Sequence, residues 1–168
     1  MALLHHNRLA ALTAVCLLYT LTAGCDFLAF TDEGLIKRRI EAHAKAISEE
    51  EWGKAAEHYL AKTTWKRADG TGVSGTQAAQ EFLDSIKQVR RRGSFYTHVE
   101  KVQKLDENRI GALVTFQIHI VESSMSMKYS NLVWKAKMLW VKVGPGDWKI
   151  AAIHDVTARK KGKFSPHY

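Results

Sequence analysis

The chain has 168 residues, of which 46% are hydrophobic and 25% are charged, and its formal net charge is +8. This length fits one domain of about 100 to 150 residues with its own core once an export signal is removed. A disulfide framework is excluded, because there are only two cysteines and Cys16 lies inside that signal. The positive charge does not predict nucleic-acid binding, since no recognition motif accompanies it and export would remove that partner.

The N-terminal segment has the pattern of a signal peptide. Arg8 precedes an apolar run, 9–21, that is shorter than the roughly 18 apolar residues needed to span a membrane. The run ends in Leu21-Thr22-Ala23-Gly24-Cys25, which resembles the lipobox of bacterial lipoproteins. This resemblance implies cleavage before Cys25 and attachment of diacylglycerol to its thiol. The alternative is an ordinary secretory signal followed by an unmodified cysteine.

Acylation of Cys25 would explain an unpaired cysteine in an exported protein. Each buried CH₂ of an acyl chain contributes about 0.8 kcal/mol to the free energy of membrane binding, and stable attachment takes more than one chain. A Cys25 that carries several chains, palmitate among them, would therefore hold the domain at a membrane. Asp26 follows, and in lipoproteins of enteric bacteria, which this segment resembles, Asp there favours the inner membrane over the outer. We therefore expect a lipid-anchored protein of the bacterial envelope that faces the periplasm.

Basic residues are concentrated in Arg90-Arg91-Arg92 and in Arg159-Lys160-Lys161-Gly162-Lys163. One interpretation is a solvated surface. Another is attraction to anionic lipid headgroups, to which each Lys or Arg contributes about 1 kcal/mol near the membrane. The expected membrane contact is therefore through Cys25, with these basic residues as a second contribution.

Three helices are predicted before the main strands. The first, 33–47, has its apolar stripe at Ile36, Ile40, Ala44 and Ile47. Ser48-Glu49-Glu50-Glu51 fits a capping box and predicts a second helix, whose stripe is Trp52, Ala55, Ala56, Tyr59 and Leu60. A short strand at 63–67 and a glycine-containing loop at 69–75 follow, and the third helix, 76–89, has its inner face at Ala79, Phe82, Leu83, Ile86 and Val89.

Alternating apolar residues then predict an antiparallel meander. A strand at 95–105 ends in the turn Asp106-Glu107-Asn108, and three longer strands follow, two of them joined by Gly144-Pro145-Gly146-Asp147. The inward residues of the first are Ile110, Ala112, Val114, Phe116, Ile118 and Ile120. Those of the second are Leu132, Trp134, Ala136, Met138 and Trp140, and those of the third are Trp148, Ile150, Ala152, His154 and Val156.

This order of elements predicts an α+β domain and resembles the nuclear transport factor 2-like superfamily, also called SnoaL-like or cystatin-like. The matching pieces are the helical hairpin with Trp52 and Tyr59, the helix start Gly75-Thr76-Gln77, and the hairpin from Gly146 into Asp155. The resemblance implies a curved antiparallel sheet wrapped around the N-terminal helices into a cone. The predicted organisation is a signal peptide at 1–24, a lipidated cysteine and tether at 25–32, the cone domain at 33–157 and a basic tail at 158–168.

Enzymes of the superfamily that the chain resembles keep acids and bases inside the cone, whereas the inward faces predicted here carry no Asp or Glu. Their only ionisable side chain is His154, which could act as a base with Tyr59 or His58 or be a hydrogen-bonded core residue. The eight histidines are scattered and neither cysteine is available as a ligand, so no metal site and no cofactor are predicted. We therefore expect a noncatalytic domain.

The expected function is that of a membrane-tethered domain that binds a small apolar ligand or a protein partner. The alternatives are an isomerase, dehydratase or hydrolase of the SnoaL-like type, and an assembly component of an envelope or secretion complex. The predicted pocket, if the aromatic side chains do not simply fill the cone, is lined by Trp52, Tyr59, Phe82, Phe116, Trp134 and His154. A homodimer is expected through an outer sheet face that carries Leu113, Val121, Val133, Leu139, Val141 and Ile153.

Overall fold

A computed structural model describes residues 31–90, 93–123 and 128–162. The predicted signal peptide at 1–24, Cys25 and the tether as far as residue 30 lie outside these ranges, and so does the end of the basic tail from residue 163. Membrane attachment therefore stays a prediction from the sequence. Within the described ranges, none of the helices combines the length and the apolar character that crossing a membrane requires.

The described chain is an α+β domain, as predicted. Its helices are α1 (Asp32–Ser48), α2 (Trp52–Ala56) and α3 (Thr76–Arg90). Its strands are β1 (Tyr59–Lys66), β2 (Gly72–Ser74), β3 (Gly93–Asp106), β4 (Arg109–Ser123), β5 (Lys128–Gly144), β6 (Asp147–Asp155) and β7 (Lys160–Gly162). The sheet order is β2-β1-β6-β5-β4-β3, and β7 pairs with β5 beside this path.

Helices α1 and α3 confirm the helices predicted at 33–47 and 76–89. Helix α1 begins after Thr31, whose hydroxyl accepts a hydrogen bond from the Gly34 N–H at 3.1 Å and so satisfies one of the unpaired donors of the first turn. Asp32 in the first turn and Lys45 in the last complement the helix dipole. The face of α1 toward the sheet buries the predicted apolar stripe and also His43.

The predicted second helix is largely wrong. Ser48 ends α1 and its hydroxyl donates to the Phe95 carbonyl at 3.0 Å, so it does not cap a new helix. Helix α2 has only five residues, and Tyr59 already belongs to β1. Tyr59 pairs with Ile150 of β6, a strand far along the chain, and these backbone hydrogen bonds hold the segment extended. The strand predicted at 63–67 is thus present but begins four residues earlier.

The sheet is mixed, whereas the prediction was an entirely antiparallel sheet. Strands β3, β4, β5 and β6 form the predicted antiparallel meander, whereas β1 runs parallel to β6. Strand β2 forms within the predicted loop, where Trp65 pairs with Val73. Strand β7 lies in the predicted tail, and its pairing of Lys161 with Leu132 extends the sheet beyond residue 157.

Aromatic side chains form the centre of the core between α3 and the sheet. Phe116 of β4 stacks on Trp134 of β5 with ring centroids 5.1 Å apart, and on Phe95 of β3 at 5.8 Å. Phe82 of α3 meets Phe116 edge-on at 5.9 Å and Trp65 of β1 at 5.5 Å. Each such pair contributes about 0.5–1.5 kcal/mol beyond the burial of its area. These contacts fix α3 on the sheet.

A β-bulge in β6 reverses the predicted inward and outward faces of its second half. Trp140 pairs with Ile150 while the preceding Leu139 pairs with Ala152, so Ala151 is an extra residue on β6. Because side chains alternate along a strand, one extra residue turns every later side chain to the other face. The inward placement predicted for Ala152, His154 and Val156 is therefore wrong. Ile153 and Asp155 are buried in their place, and His154 is exposed.

Candidate functional site

Four of the aromatic residues predicted to line a pocket pack against one another. Tyr59, Phe82, Phe116 and Trp134 are buried, and successive ring centroids lie 6.4, 5.9 and 5.1 Å apart. Their mutual contacts occupy the inner face of the sheet between α3 and β5. The structure thus brings these four residues together as core packing, with Trp65 completing the cluster on the side of β1.

The other two predicted pocket residues lie apart from this cluster. Trp52 is half-buried at the start of α2, with the Lys87 ammonium 5.7 Å from its ring centroid. His154 is exposed on the outer face of β6, because the bulge at Ala151 turns it away from the core. Neither contributes to the aromatic cluster, and the prediction that His154 belongs to the interior is wrong.

A cavity of about 590 Å³ lies beside the aromatic cluster, in the size range of small-molecule sites. It is bounded by the end of β1, the outer turns of α3, the end of β6 and the segment 157–159. Trp65 is shared between the two regions, since it packs on Phe82 and also lines the cavity. The wall also contains the charged residues Arg67, Asp69, Glu81, Asp84, Asp155 and Arg159, together with Ser85.

Asp155 is the most unusual side chain of the cavity. It is 5% exposed, and its Oδ2 accepts a hydrogen bond from the Trp65 indole N–H at 3.1 Å. Its Oδ1 is buried and has no hydrogen-bond partner among the residues that the structure describes. Burial raises the pKa of Asp155, and the bond from Trp65 and the charge of Arg159 oppose this effect. A buried carboxylate oxygen without a partner costs free energy that a donor on a ligand could recover.

Two guanidinium groups flank Asp155. Arg159 lies 4.5 Å from the Trp134 ring centroid and donates to the Ser85 hydroxyl at 2.7 Å, so it packs across the end of the core. Arg67 lies 4.2 Å from the Trp65 ring centroid and donates to Glu81 at 2.8 Å. Both cations are thereby oriented by an aromatic face and by a fixed polar partner.

Acidic groups outnumber basic ones in the cavity wall, although the whole chain carries a net charge of +8. The carboxylates are those of Asp69, Glu81, Asp84 and Asp155, and the cations are Arg67 and Arg159. Asp69 accepts from the Thr71 N–H and hydroxyl, which lowers its pKa. Such a wall suits a ligand that donates hydrogen bonds or carries positive charge, and it repels an anion.

A second polar cluster lies inside the cone between α1 and the start of β1. His43 is completely buried, and its Nε2 lies 2.8 Å from the Tyr59 hydroxyl. Burial, together with the charge of His58, lowers the pKa of His43 to about 3, so it is neutral near pH 7. Burial also raises the pKa of Tyr59. With both groups neutral, this pair is a buried hydrogen bond of the core.

Sequence reasoning missed Asp155 and His43 for different reasons. His43 lies seven residues after Ile36, on the buried stripe of α1, so helical spacing alone could have found it. In β6 the apolar residues change phase, because Trp148 and Ile150 are followed by Ile153. That change of phase is the sequence signal of the bulge that buries Asp155. In the part of the chain that the structure describes, no three His, Cys, Asp or Glu side chains are grouped as a metal site.

Comparison with known proteins identifies the fold. No protein-family model and no curated protein matches the sequence. A hexachlorocyclohexane dehydrochlorinase from Novosphingobium barchaimii has 10% identity and a TM-score of 0.61, over 86% of this chain and 99% of its own. An NTF-2-like protein from Shewanella oneidensis has 11% identity and a TM-score of 0.59, over 74% and 98%.

A ketosteroid isomerase-like protein from Erwinia carotovora is also similar, with 9% identity and a TM-score of 0.57 over 77% of this chain and 99% of its own. At such identities the similarity establishes the fold and not the activity. Together with the order of helices and strands, it shows that the described chain has the nuclear transport factor 2-like fold, in which the sheet wraps around the helices as a cone.

Proposed function

We propose that this protein is an exported, lipid-anchored domain that binds a small organic molecule in the cavity beside Asp155. The observation that carries the proposal is Asp155, which lies in the wall of a cavity of ligand size and whose buried Oδ1 has no hydrogen-bond partner among the described residues. The lipid anchor rests on the sequence from Arg8 to Cys25.

The ligand class follows from the cavity wall. Four carboxylates against two guanidinium groups favour a molecule with a hydroxyl or a protonated amine over an anion. A purely apolar ligand would leave Oδ1 of Asp155 unpaired, so it would recover none of the roughly 1–3 kcal/mol that an unsatisfied buried acceptor costs. The proposed ligand is therefore polar and binds in the cavity at Asp155, whereas the sequence predicts an apolar ligand inside the cone.

The ligand can be identified by mass spectrometry of small molecules released when the purified full chain is denatured. Asp155→Asn keeps the shape of the side chain and removes its charge, so the affinity for a donor ligand should fall about tenfold or more. Asp84→Asn makes the same change at a half-buried wall residue that already accepts from Gln80 at 3.1 Å, and it should change affinity less than about twofold.

The proposal fails if nothing is released from the wild type and if a panel of amines and alcohols produces no saturable change in tryptophan emission. Trp65 forms the cavity wall and donates to Asp155, so a bound molecule should alter its emission. Equal affinity of the wild type and Asp155→Asn for a released molecule would also contradict it.

A second candidate function is enzymatic, with Asp155 as a general base. The noncatalytic interpretation depended on an interior without acids, and Asp155 removes that basis. Burial raises the pKa of Asp155, which makes its carboxylate a stronger base for proton abstraction, as in reactions of the isomerase or dehydratase type. The solved proteins with this fold include a dehydrochlorinase and a ketosteroid isomerase-like protein.

Turnover of a released or added compound distinguishes the two candidates. For an enzyme, Asp155→Asn should abolish turnover while the compound still binds, and kcat/KM should rise with pH as Asp155 loses its proton. For a binding domain, no compound that binds should be converted to a product.

A further inference from the structure

The outer face of the sheet carries a row of basic side chains in direct register. Lys101 of β3 is opposite Leu113 of β4, Leu113 is opposite Lys137 of β5, and Lys137 is opposite His154 of β6. His154 is in turn paired with Lys66 of β1. The four basic side chains are exposed, and neighbouring strands lie about 4.8 Å apart. We call these four basic residues the cationic row.

The next row along the strands is small and apolar. Gly111 of β4 is opposite Leu139 of β5, and Leu139 is opposite Ala152 of β6. Gly111 and Ala152 leave a depression of about 480 Å³, bounded by Leu105, Leu113 and Leu139 and edged by part of the cationic row. We call this depression the outer groove. The same β-bulge that buries Asp155 places Ala152 and His154 here.

None of the described residues that line the outer groove is acidic. Lys101 and Lys137 form no ion pair with a residue that the structure describes, whereas Lys135 one row away is paired with Glu100 at 2.6 Å. The cationic row is thus an uncompensated concentration of positive charge at the edge of an apolar groove.

We propose that the outer groove binds a single-chain anionic amphiphile. The carboxylate or phosphate head would lie next to Lys137, on the side of either His154 or Lys101. The acyl chain would cover Gly111 and the side chains of Leu105, Leu113 and Leu139. Lysine stems add apolar surface beneath their charges, which suits the region where head and chain meet. This site lies on the opposite face of the sheet from the cavity at Asp155 and is independent of the function proposed there.

Charge decides between this occupant and a second copy of the chain. A two-fold symmetric contact through the outer groove would place the same patch on both copies, and therefore a cationic row against a cationic row. Like charges brought together across an interface cost several kcal/mol. An anionic ligand removes that repulsion, and a neutral apolar ligand leaves it unchanged.

The test uses dodecanoate as the probe, below the concentration at which it aggregates, and the full chain carrying Cys25→Ser. Backbone amide shifts in NMR spectra report where it binds. Saturable shifts are expected at Gly111, Leu113 and Ala152. Butyrate has the head without the chain, and dodecyltrimethylammonium has the chain with the opposite charge, so neither should produce them.

Two variants examine the head and chain contacts separately. Lys137→Glu should weaken dodecanoate binding about tenfold or more, because it removes an attraction and adds a repulsion. Lys37→Glu makes the same charge change on an exposed residue of α1 and should have less than about a twofold effect. Gly111→Val fills the groove without a charge change and should therefore also block binding. The fold should tolerate this side chain, because a Cβ at position 111 would be in ordinary contact with Leu105, at 3.7 Å.

Urea unfolding separates loss of the site from loss of the fold. Lys137→Glu should leave stability nearly unchanged, because Lys137 is exposed and forms no ion pair with a described residue. The proposal is overturned if Lys137→Glu and the wild type bind dodecanoate equally or if butyrate matches dodecanoate. It is also overturned if the protein binds phosphatidylglycerol vesicles but not dodecanoate. A dimer that covers Gly111 and Ala152, with no change in their amide shifts on adding dodecanoate, would overturn it as well.

Discussion

The buried His43 should make the domain sensitive to mild acid. Its pKa is about 3 in the folded protein, against 6.5 for an ordinary histidine, so the unfolded chain takes up a proton at pH 3 to 6.5 and the folded chain does not. Neutral His43 therefore makes its full contribution to the stability of the folded protein above pH 6.5, and this contribution is lost as the pH falls. The loss is about 1.4 kcal/mol per pH unit, or about 2 kcal/mol between pH 7.5 and 5.0.

His43→Gln isolates this contribution. Glutamine does not titrate and can still form a hydrogen bond to the Tyr59 hydroxyl, which would otherwise be unpaired in the core. Urea unfolding followed by tryptophan fluorescence at pH 7.5, 6.0 and 5.0 gives the free energy of unfolding of both proteins. The wild type should lose about 2 kcal/mol more than His43→Gln over this range.

Other groups also respond to acid, which is why the difference between two proteins is measured. Burial, Arg39 and Lys149 lower the pKa of His58, and this has the same sign as His43. The raised pKa of Asp155 has the opposite sign, because its stabilising effect is present at low pH and lost as pH rises. His98→Gln, at an exposed position, controls for the change of residue type. Parallel pH profiles for the wild type and His43→Gln would refute the reasoning.

Three further predictions concern the anchor, the assembly and the core. In a bacterial host, mass spectrometry should find an acylated N-terminal Cys25 in the membrane fraction, and Cys25→Ala should leave an uncleaved or unlipidated chain; a mature N-terminus elsewhere would contradict this. The cationic row opposes the dimer that the sequence predicts through the outer sheet face, so sedimentation of the unlipidated chain at about tens of micromolar should show a monomer, and self-association there would contradict the charge argument. Phe116→Ala should lower the free energy of unfolding by about 3–5 kcal/mol, because it opens a cavity among Phe82, Phe95 and Trp134; a loss below about 1 kcal/mol would show that the core is not close-packed there.

The sequence by itself determined the elements whose pattern is long and regular. Helices α1 and α3 span several turns with an apolar stripe, and β4 and β5 alternate over most of their length, so local periodicity identified them and their buried faces. The fold class followed from their order, and the resemblance to nuclear transport factor 2-like domains is confirmed as a resemblance of fold.

Tertiary structure decided the short and irregular segments, because distant partners determine their conformation. Tyr59 lies where helical and strand spacing both fit, and its pairing with Ile150 makes it part of a strand. In β6 the extra residue at Ala151 is defined only by the register with β5, and that one residue exchanges the places of His154 and Asp155.

The candidate site depends on the same long-range contacts. Trp65 and Asp155 are 90 residues apart in the chain and form one hydrogen bond, and Arg159 reaches Ser85 of α3 from beyond β6. No local sequence pattern predicts such long-range contacts, because each of these side chains is ordinary within its own segment. Their chemistry arises only when the sheet closes around α3 and removes Asp155 from water.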